Sequence, residues 1–170
     1  MSVSNPAAIP HPRKVGVLFV CLGNICRSPA AEGLFLHLMA RDQFEGCFAV
    51  DSAGTGAWHE GKPADRRMQE AASRRGILLP SRARQIRKAD FAAFDHILTM
   101  DRRNFADVRQ LAGKGPCRAT IEPITRYCRR YRLEEVPDPY YGGPEGFEQV
   151  LDLLQDACEG LLASLRPPQG

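Results

Sequence analysis

The stretch Val15-Gly16-Val17-Leu18-Phe19-Val20-Cys21-Leu22-Gly23-Asn24-Ile25-Cys26-Arg27-Ser28-Pro29 decides the reading of this chain. Its first seven residues carry no polar side chain, and a short continuous apolar run is the pattern of a strand buried on both faces. Gly23 can take the positive φ that a tight loop needs. Ser28 and Pro29 fit the N-cap and first helical positions, with Glu32 in the first turn. A strand, a loop of successive backbone N–H groups and a helix N-terminus together form an anion trap, because unpaired amides and the positive end of the helix dipole converge there. Cys21 at the mouth of the loop is the candidate nucleophile, since the field that holds an anion also favours thiolate over thiol. Arg27 adds a planar fork that matches two phosphoryl oxygens. The plain alternative is a buried strand-end thiol, because free cysteine behaves as a small hydrophobe.

Outward from this stretch, apolar strands are expected over residues 15–21, 47–51, 94–100 and 118–121. They alternate with helical segments over 29–41, 64–75, 102–111 and 146–165. Such alternation means an α/β fold, a parallel sheet covered by helices on both faces. Ligands in such folds bind beyond the carboxyl ends of the strands, where the Cys21 loop leaves the first strand. Residues 1–13, with three prolines and no periodicity, are expected to be a disordered tail. Residues 14–166 are expected to form a single domain, and 167–170 a frayed end. The long segment from 120 to 144 is rich in charge, aromatics and proline, a composition typical of functional or mobile loops.

Composition fits this reading and excludes others. A chain of 170 residues with 44% hydrophobic content can bury a substantial core. Its net charge of +3 suits anionic substrates but falls short of a dedicated nucleic-acid binder. No stretch approaches the roughly 18 apolar residues of a membrane helix. Six cysteines with no CxxC pair and no partnered histidines indicate neither a zinc site nor a disulfide framework, which points to a reducing cytoplasm. No Gly-Lys-Ser/Thr follows a glycine-rich run, so a Walker-type phosphate loop is excluded.

Cys21-Leu22-Gly23-Asn24-Ile25-Cys26-Arg27-Ser28-Pro29-Ala30-Ala31-Glu32 resembles the catalytic loop and following helix of the low-molecular-weight protein tyrosine phosphatases. Further motifs of that family follow in the same order: Asp51-Ser52-Ala53-Gly54-Thr55-Gly56-Ala57-Trp58, Arg82-Ala83-Arg84-Gln85-Ile86, Thr99-Met100-Asp101 and Asp138-Pro139-Tyr140-Tyr141-Gly142-Gly143. The resemblance covers residues 15–162 and implies a three-layer, flavodoxin-like sandwich with a four-stranded parallel sheet of order 2-1-3-4. It implies a cytoplasmic phosphatase acting on tyrosine-phosphorylated proteins through a phosphocysteine intermediate, with neither metal nor cofactor. The protein would be a monomer or weak dimer, with a tyrosine kinase as a conceivable further partner and no nucleic acid or membrane.

Residue by residue, the resemblance makes Cys21 the nucleophile and Arg27 the phosphoryl-binding cation. Asp138 would be the general acid that protonates the leaving oxygen, then the base that activates water. Without the resemblance, an Asp between Pro137 and Pro139 reads as an ordinary turn residue. Leu22, Gly23, Asn24, Ile25, Cys26 and Ser28 would complete the phosphate loop. Asn24 would brace its backbone, while Ser28 would donate to the Cys21 thiolate or serve only as a cap. Cys26 would be the partner of Cys21 in a reversible disulfide under peroxide. Trp58 and Tyr140 would wall the pocket; Tyr141 would either join that rim or support the Asp138 loop. Trp58 sits in a glycine-rich loop, which favours exposure.

One departure stands out. Arg75 in Arg74-Arg75-Gly76-Ile77 occupies the place where many members carry a histidine that would help brace the loop asparagine. The support of Asn24 is thereby left open, with an expected effect on rate and not a lost activity. Rival readings on the same scaffold are a protein arginine phosphatase, an arsenate reductase and a non-catalytic phosphotyrosine-binding module. Arginine phosphatases tend to carry threonine at the position of Ile25, and arsenate reductases need relay cysteines, of which residues 74–94 have none.

Overall fold

The structure, a computed structural model, describes residues 13–166. The expected frayed end, and the expected tail apart from Arg13, lie outside these residues. Strand β1 (Val15–Cys21) pairs in parallel along its whole length with β2 (Phe48–Gly54), Val15 opposite Phe48 and Cys21 opposite Gly54. Its other edge pairs with β3 (His96–Thr99), which in turn pairs with β4 (Thr120–Pro123). The sheet is entirely parallel, in the order β2-β1-β3-β4 that was expected.

Alternation along β1 explains why the run is continuously apolar. Val17, Phe19 and Cys21 pack towards α1 (Arg27–Arg41), α2 (Arg66–Ser73) and α5 (Pro144–Leu165). Leu18 and Val20 pack on the opposite face with Phe91 of the short α3 (Asp90–Ala93) and Val108 of α4 (Arg102–Ala112). Residues Val17 to Val20 are fully buried, each large side chain gaining about 1.5–3 kcal/mol from leaving water. Phe35 of α1 links strand to strand, its ring 5.8 Å from Phe19 and 5.4 Å from Phe48.

Helix α5 anchors the long segment that follows β4. A Cβ on Gly160 would lie 1.9 Å from the Tyr127 carbonyl oxygen, so only glycine lets the helix pass this close to the 3-10 turn Ile124–Tyr127. Four residues earlier, the Asp156 carboxylate accepts from the N–H groups of Arg129, Arg130 and Tyr131. The segment therefore returns to a fixed point before it delivers residues 136–143 to the carboxyl end of the sheet.

Several boundaries differ from expectation, each for a local reason. Helix α1 begins at Arg27, with Cys26 at the N-cap and no side-chain cap, because the Ser28 hydroxyl is turned towards Cys21. Glu32 consequently lies beyond the first turn. The positive φ falls on Asn24 (57°) and not on Gly23. Gly23 instead makes room for a neighbour: a Cβ there would stand 3.0 Å from the His59 ring, which would have to shift by a few tenths of an ångström. Helix α2 starts at Arg66, because the Asp65 carboxylate accepts from the Arg67 N–H as its cap. Strand β2 continues to Gly54, since its pairing with β1 lasts to Cys21.

Candidate active site

The loop between β1 and α1 is shaped by where its carbonyl groups go. The Cys21 oxygen accepts from Thr55 N–H at 2.9 Å, that of Leu22 from Gly56 N–H at 2.9 Å, and that of Ile25 from Asp65 N–H at 2.8 Å. With these carbonyls turned outward onto the protein, the N–H groups of Leu22 to Cys26 are left without a protein acceptor among the described residues. Successive unpaired amides in a loop whose residues Leu22, Gly23, Ile25 and Cys26 line a pocket, at the uncapped start of a 15-residue helix, suit the binding of an anion.

Asn24 holds the loop in its left-handed turn, a conformation that costs a non-glycine residue roughly 1–2 kcal/mol. Its Nδ2 donates to Ser28 Oγ at 2.8 Å and to Ser52 Oγ at 3.0 Å, while its Oδ1 accepts from the Arg84 N–H at 3.0 Å. Ser28 Oγ, already accepting from Asn24, has its own proton to give either to Cys21 Sγ at 2.9 Å or to the Ala53 carbonyl at 3.4 Å. Arg75 has no part in this brace. It pairs with Glu148 at 2.7 Å and Asp152 at 2.9 Å on α5. The support of Asn24 that its presence left open is thus provided by Ser28, Ser52 and the Arg84 amide.

Arg27 is 2% exposed. Its Nη1 donates to Asp101 Oδ2 at 2.7 Å and to the Val136 carbonyl at 3.0 Å. Burial works against its charge, but the Cys21 sulfur and the Asp101 and Asp138 carboxylates outweigh burial and keep the guanidinium cationic. The Nε and Nη2 donors make no hydrogen bond to the protein among the described residues, and Nη2 lies 3.6 Å from Asp138 Oδ2. One edge of the fork is thus fixed by structure and the other faces the pocket. Asp138 is itself aimed by a local turn, its Oδ1 accepting from the Tyr140 N–H at 3.1 Å.

These groups converge on a pocket of 390 Å³, lined by Cys21, Leu22, Gly23, Ile25, Cys26, Arg27, Trp58, His59, Asp138, Tyr140 and Tyr141. The sequence-predicted residues are all brought together there, except that Asn24 and Ser28 lie behind the loop as its supports. Trp58 is 67% and Tyr141 93% exposed at the mouth, with Tyr141 edge-on to Tyr140 at 4.9 Å. The indole of Trp58 lies flat over Gly56, where a Cβ would meet it at 1.9 Å. Burial pushes the Cys26 thiol well above its ordinary range, with the Asp65 charge acting in the same direction, so Cys26 is a neutral thiol.

Sequence reading missed His59, which lines the wall beside Tyr140, with ring centroids 6.4 Å apart. It also missed Asp101, Ser52 and Val136 as partners of the loop. The signal for Asp101 was its place at the carboxyl end of β3, where it caps α4 through reciprocal bonds with Asn104. Among the described residues no group of three or more histidine, cysteine or carboxylate side chains is arranged to hold a metal ion. No helix there is long and apolar enough to cross a membrane.

Comparison with known proteins converges on the same loop, fold and order of motifs. The family model for low molecular weight phosphotyrosine protein phosphatase matches residues 16–169. The low molecular weight protein-tyrosine-phosphatase YfkJ of Bacillus subtilis is 44% identical over 89% of this chain and 96% of its own. Its crystal structure superposes with a TM-score of 0.85, covering 92% and 98% of the two chains at 42% identity. The human low molecular weight phosphotyrosine protein phosphatase is 42% identical over 86% of this chain and 92% of its own. A Drosophila arginine phosphatase has the same fold, with a TM-score of 0.83 at 30% identity over 90% and 99% of the two chains. A family match spanning almost every described residue, with the anion loop and its supporting residues inside it, means that this chain belongs to the low molecular weight phosphotyrosine protein phosphatase family.

Proposed function

We propose that this enzyme hydrolyses phosphotyrosine in proteins, and small aryl phosphates, through a phosphocysteine intermediate. The observation that carries this reading is the convergence of Cys21 Sγ, the free edge of Arg27, the unpaired loop amides and the Asp138 carboxyl on one aromatic-walled pocket. The Cys21 thiolate attacks phosphorus, forming an S–P bond as the P–O bond to the aryl group breaks. Asp138 gives its proton to the departing phenolic oxygen. Water then attacks the phosphocysteine, loses its proton to Asp138, and releases inorganic phosphate and the thiolate. The Ser28 hydroxyl stabilises the thiolate at both ends of the cycle. Arg27 and the loop amides stabilise the charge on the equatorial oxygens in both steps, which is where most of the barrier reduction in phosphoryl transfer originates.

Substrate choice follows from the walls. Ile25 presents an apolar side chain to the pocket, offering nothing for the N–H groups of a phosphoguanidinium to donate to. Trp58 and Tyr140 can stack on a phenyl ring. Six free thiols among the described residues are in keeping with a reducing, cytoplasmic setting. Cys26, in the same pocket wall as Cys21, is the residue to condense with a peroxide-oxidised Cys21 sulfenic acid, forming a disulfide and releasing water.

The test is phosphate release from a phosphotyrosine peptide and a phosphoarginine peptide by the wild type, Cys21→Ser and Asp138→Asn. Hydrolysis that prefers phosphotyrosine and disappears in Cys21→Ser is expected. A preference for phosphoarginine would overturn the substrate assignment, and turnover by Cys21→Ser would overturn the mechanism.

A further inference from the structure

We propose that Arg67, which does not line the pocket, is a positioning residue that ties the general-acid loop to the phosphate loop. The inference rests on the phosphatase reading above.

Three attachments carry it. The first runs to the phosphate loop. Asp65 donates its N–H to the Ile25 carbonyl at 2.8 Å. Its carboxylate accepts from Arg67 Nε at 3.1 Å and Nη2 at 3.0 Å, fixing the plane of the guanidinium by a two-point contact. The second runs to the acid loop. The Arg67 guanidinium carbon stands 5.4 Å from the centre of the Tyr140 ring and 4.7 Å from that of Phe147. Phe147 is buried in the first turn of α5 and so is a fixed support. The third joins Tyr140 to the chemistry: its N–H donates to Asp138 Oδ1 at 3.1 Å, across the buried Pro139.

The chain of contacts is therefore Ile25 carbonyl, Asp65, Arg67, Tyr140, Asp138. It links two loops more than a hundred residues apart in sequence that must present an acid and a nucleophile to one phosphorus atom. Arg27 also reaches Asp138, but from the pocket floor and at 3.6 Å. Tyr140 needs a lateral stop, and a planar cation with one edge clamped supplies it. Lysine, a point charge on a flexible stem, cannot make the two-point contact and the stack together.

The test compares kcat/KM for p-nitrophenyl phosphate, phenyl phosphate and a phosphotyrosine peptide in the wild type, Arg67→Met, Arg67→Lys, Asp138→Asn and the double variant Arg67→Met/Asp138→Asn. A misplaced acid matters most where the leaving oxygen is most basic. Arg67→Met should lower kcat/KM roughly 10-fold for phenyl phosphate and the peptide, a fraction of what general acid catalysis provides. For p-nitrophenyl phosphate the loss should stay below about 2-fold. Arg67→Lys should recover less than half of the loss on a logarithmic scale, and adding Arg67→Met to Asp138→Asn should cost nothing further, because both act on the same proton transfer. Alkylation of Cys21 by iodoacetate, and its protection by inorganic phosphate, should stay at the wild-type rate. Equal losses across the three esters, additivity with Asp138→Asn, or altered alkylation would overturn the proposal, as would unchanged kinetics. Failure of the wild type to hydrolyse any of the esters would instead refute the phosphatase reading itself.

Discussion

Glu32 offers the sharpest stability prediction. It lies on α1 one turn after Ser28, is 3% exposed, and its Oε1 has no hydrogen-bond partner among the described residues. Burial pushes its carboxyl from the ordinary 4.5 up to about 7; the Asp51 charge adds to the rise, and the Ser52 and Ser81 hydroxyls and Arg84 oppose it. A raised folded pKa means that the native protein keeps a proton which the unfolded chain has already released. Glu32 therefore imposes no penalty below about pH 4.5, and its favourable contribution is lost as the pH rises through 7. The interval between 4.5 and about 7, at about 1.4 kcal/mol for each pH unit, makes the ionised residue cost about 3 kcal/mol. Glu32→Gln keeps the shape and cannot ionise. Its stability advantage over the wild type should grow by about 2.5 kcal/mol between pH 5 and pH 8. For a chain of this size that is roughly 5–10 °C in Tm at pH 8 relative to pH 5. Urea unfolding of both proteins across this range, under reducing conditions, measures the difference directly, and every titration they share cancels. Two stability curves that stay parallel with pH would refute the reasoning.

Three further outcomes follow from the geometry. Arg27→Lys keeps a charge but loses the fork, so kcat/KM for p-nitrophenyl phosphate should fall at least about 100-fold; a loss under tenfold would mean that a point charge suffices. Gly56→Ala drives a methyl group into the Trp58 ring, and the displaced indole should raise KM for a phosphotyrosine peptide roughly 2–12-fold, the value of one aromatic contact. An unchanged KM would remove Trp58 from the substrate-binding rim. Gly160→Ala gains helix propensity but forces a Cβ to 1.9 Å from the Tyr127 oxygen, so unfolding free energy should drop by about 1–3 kcal/mol; a more stable variant would show that α5 yields at no cost.

The fold was legible because its governing signal is one-dimensional. Val15 to Cys21 is apolar at every position only because both faces of β1 are covered, and that single fact implies a parallel sheet and a ligand site at its carboxyl end. The boundaries were less legible wherever a polar side chain has a partner far away in sequence. Ser28 reads as a helix cap until Cys21 and Asn24 are seen to claim its hydroxyl. The extension of β2 through Ser52 reads as the end of a strand until Ser52 is found buried against Asn24, 28 residues earlier. Helix α3, only four residues long, has too few turns to impose a period on the sequence.

The same distinction separates the proposed reacting groups from their supports. Cys21 and Arg27 were legible because few residue types can attack or bind a phosphoryl group at a strand-loop-helix junction, whereas Asp138, between Pro137 and Pro139, reads locally as a turn residue and was marked out by the family resemblance. Asp101, Ser52, Asp65 and Arg67 are common residues at helix caps and strand ends, and nothing local marks them out. Their work appears only when the carboxyl ends of β1, β2 and β3 are placed side by side. Asp101 caps α4 with Oδ1 and holds Arg27 with Oδ2, so one carboxylate starts a helix and fixes the buried guanidinium in the pocket. Asp65 likewise caps α2 and holds both Ile25 and Arg67. Caps that also brace the site must couple stability to activity, whereas Tyr141, 93% exposed at the rim, is free to alter substrate choice without weakening the fold. Variation in specificity within this architecture should therefore concentrate in the aromatic rim, and the paired caps behind the loop should tolerate change least.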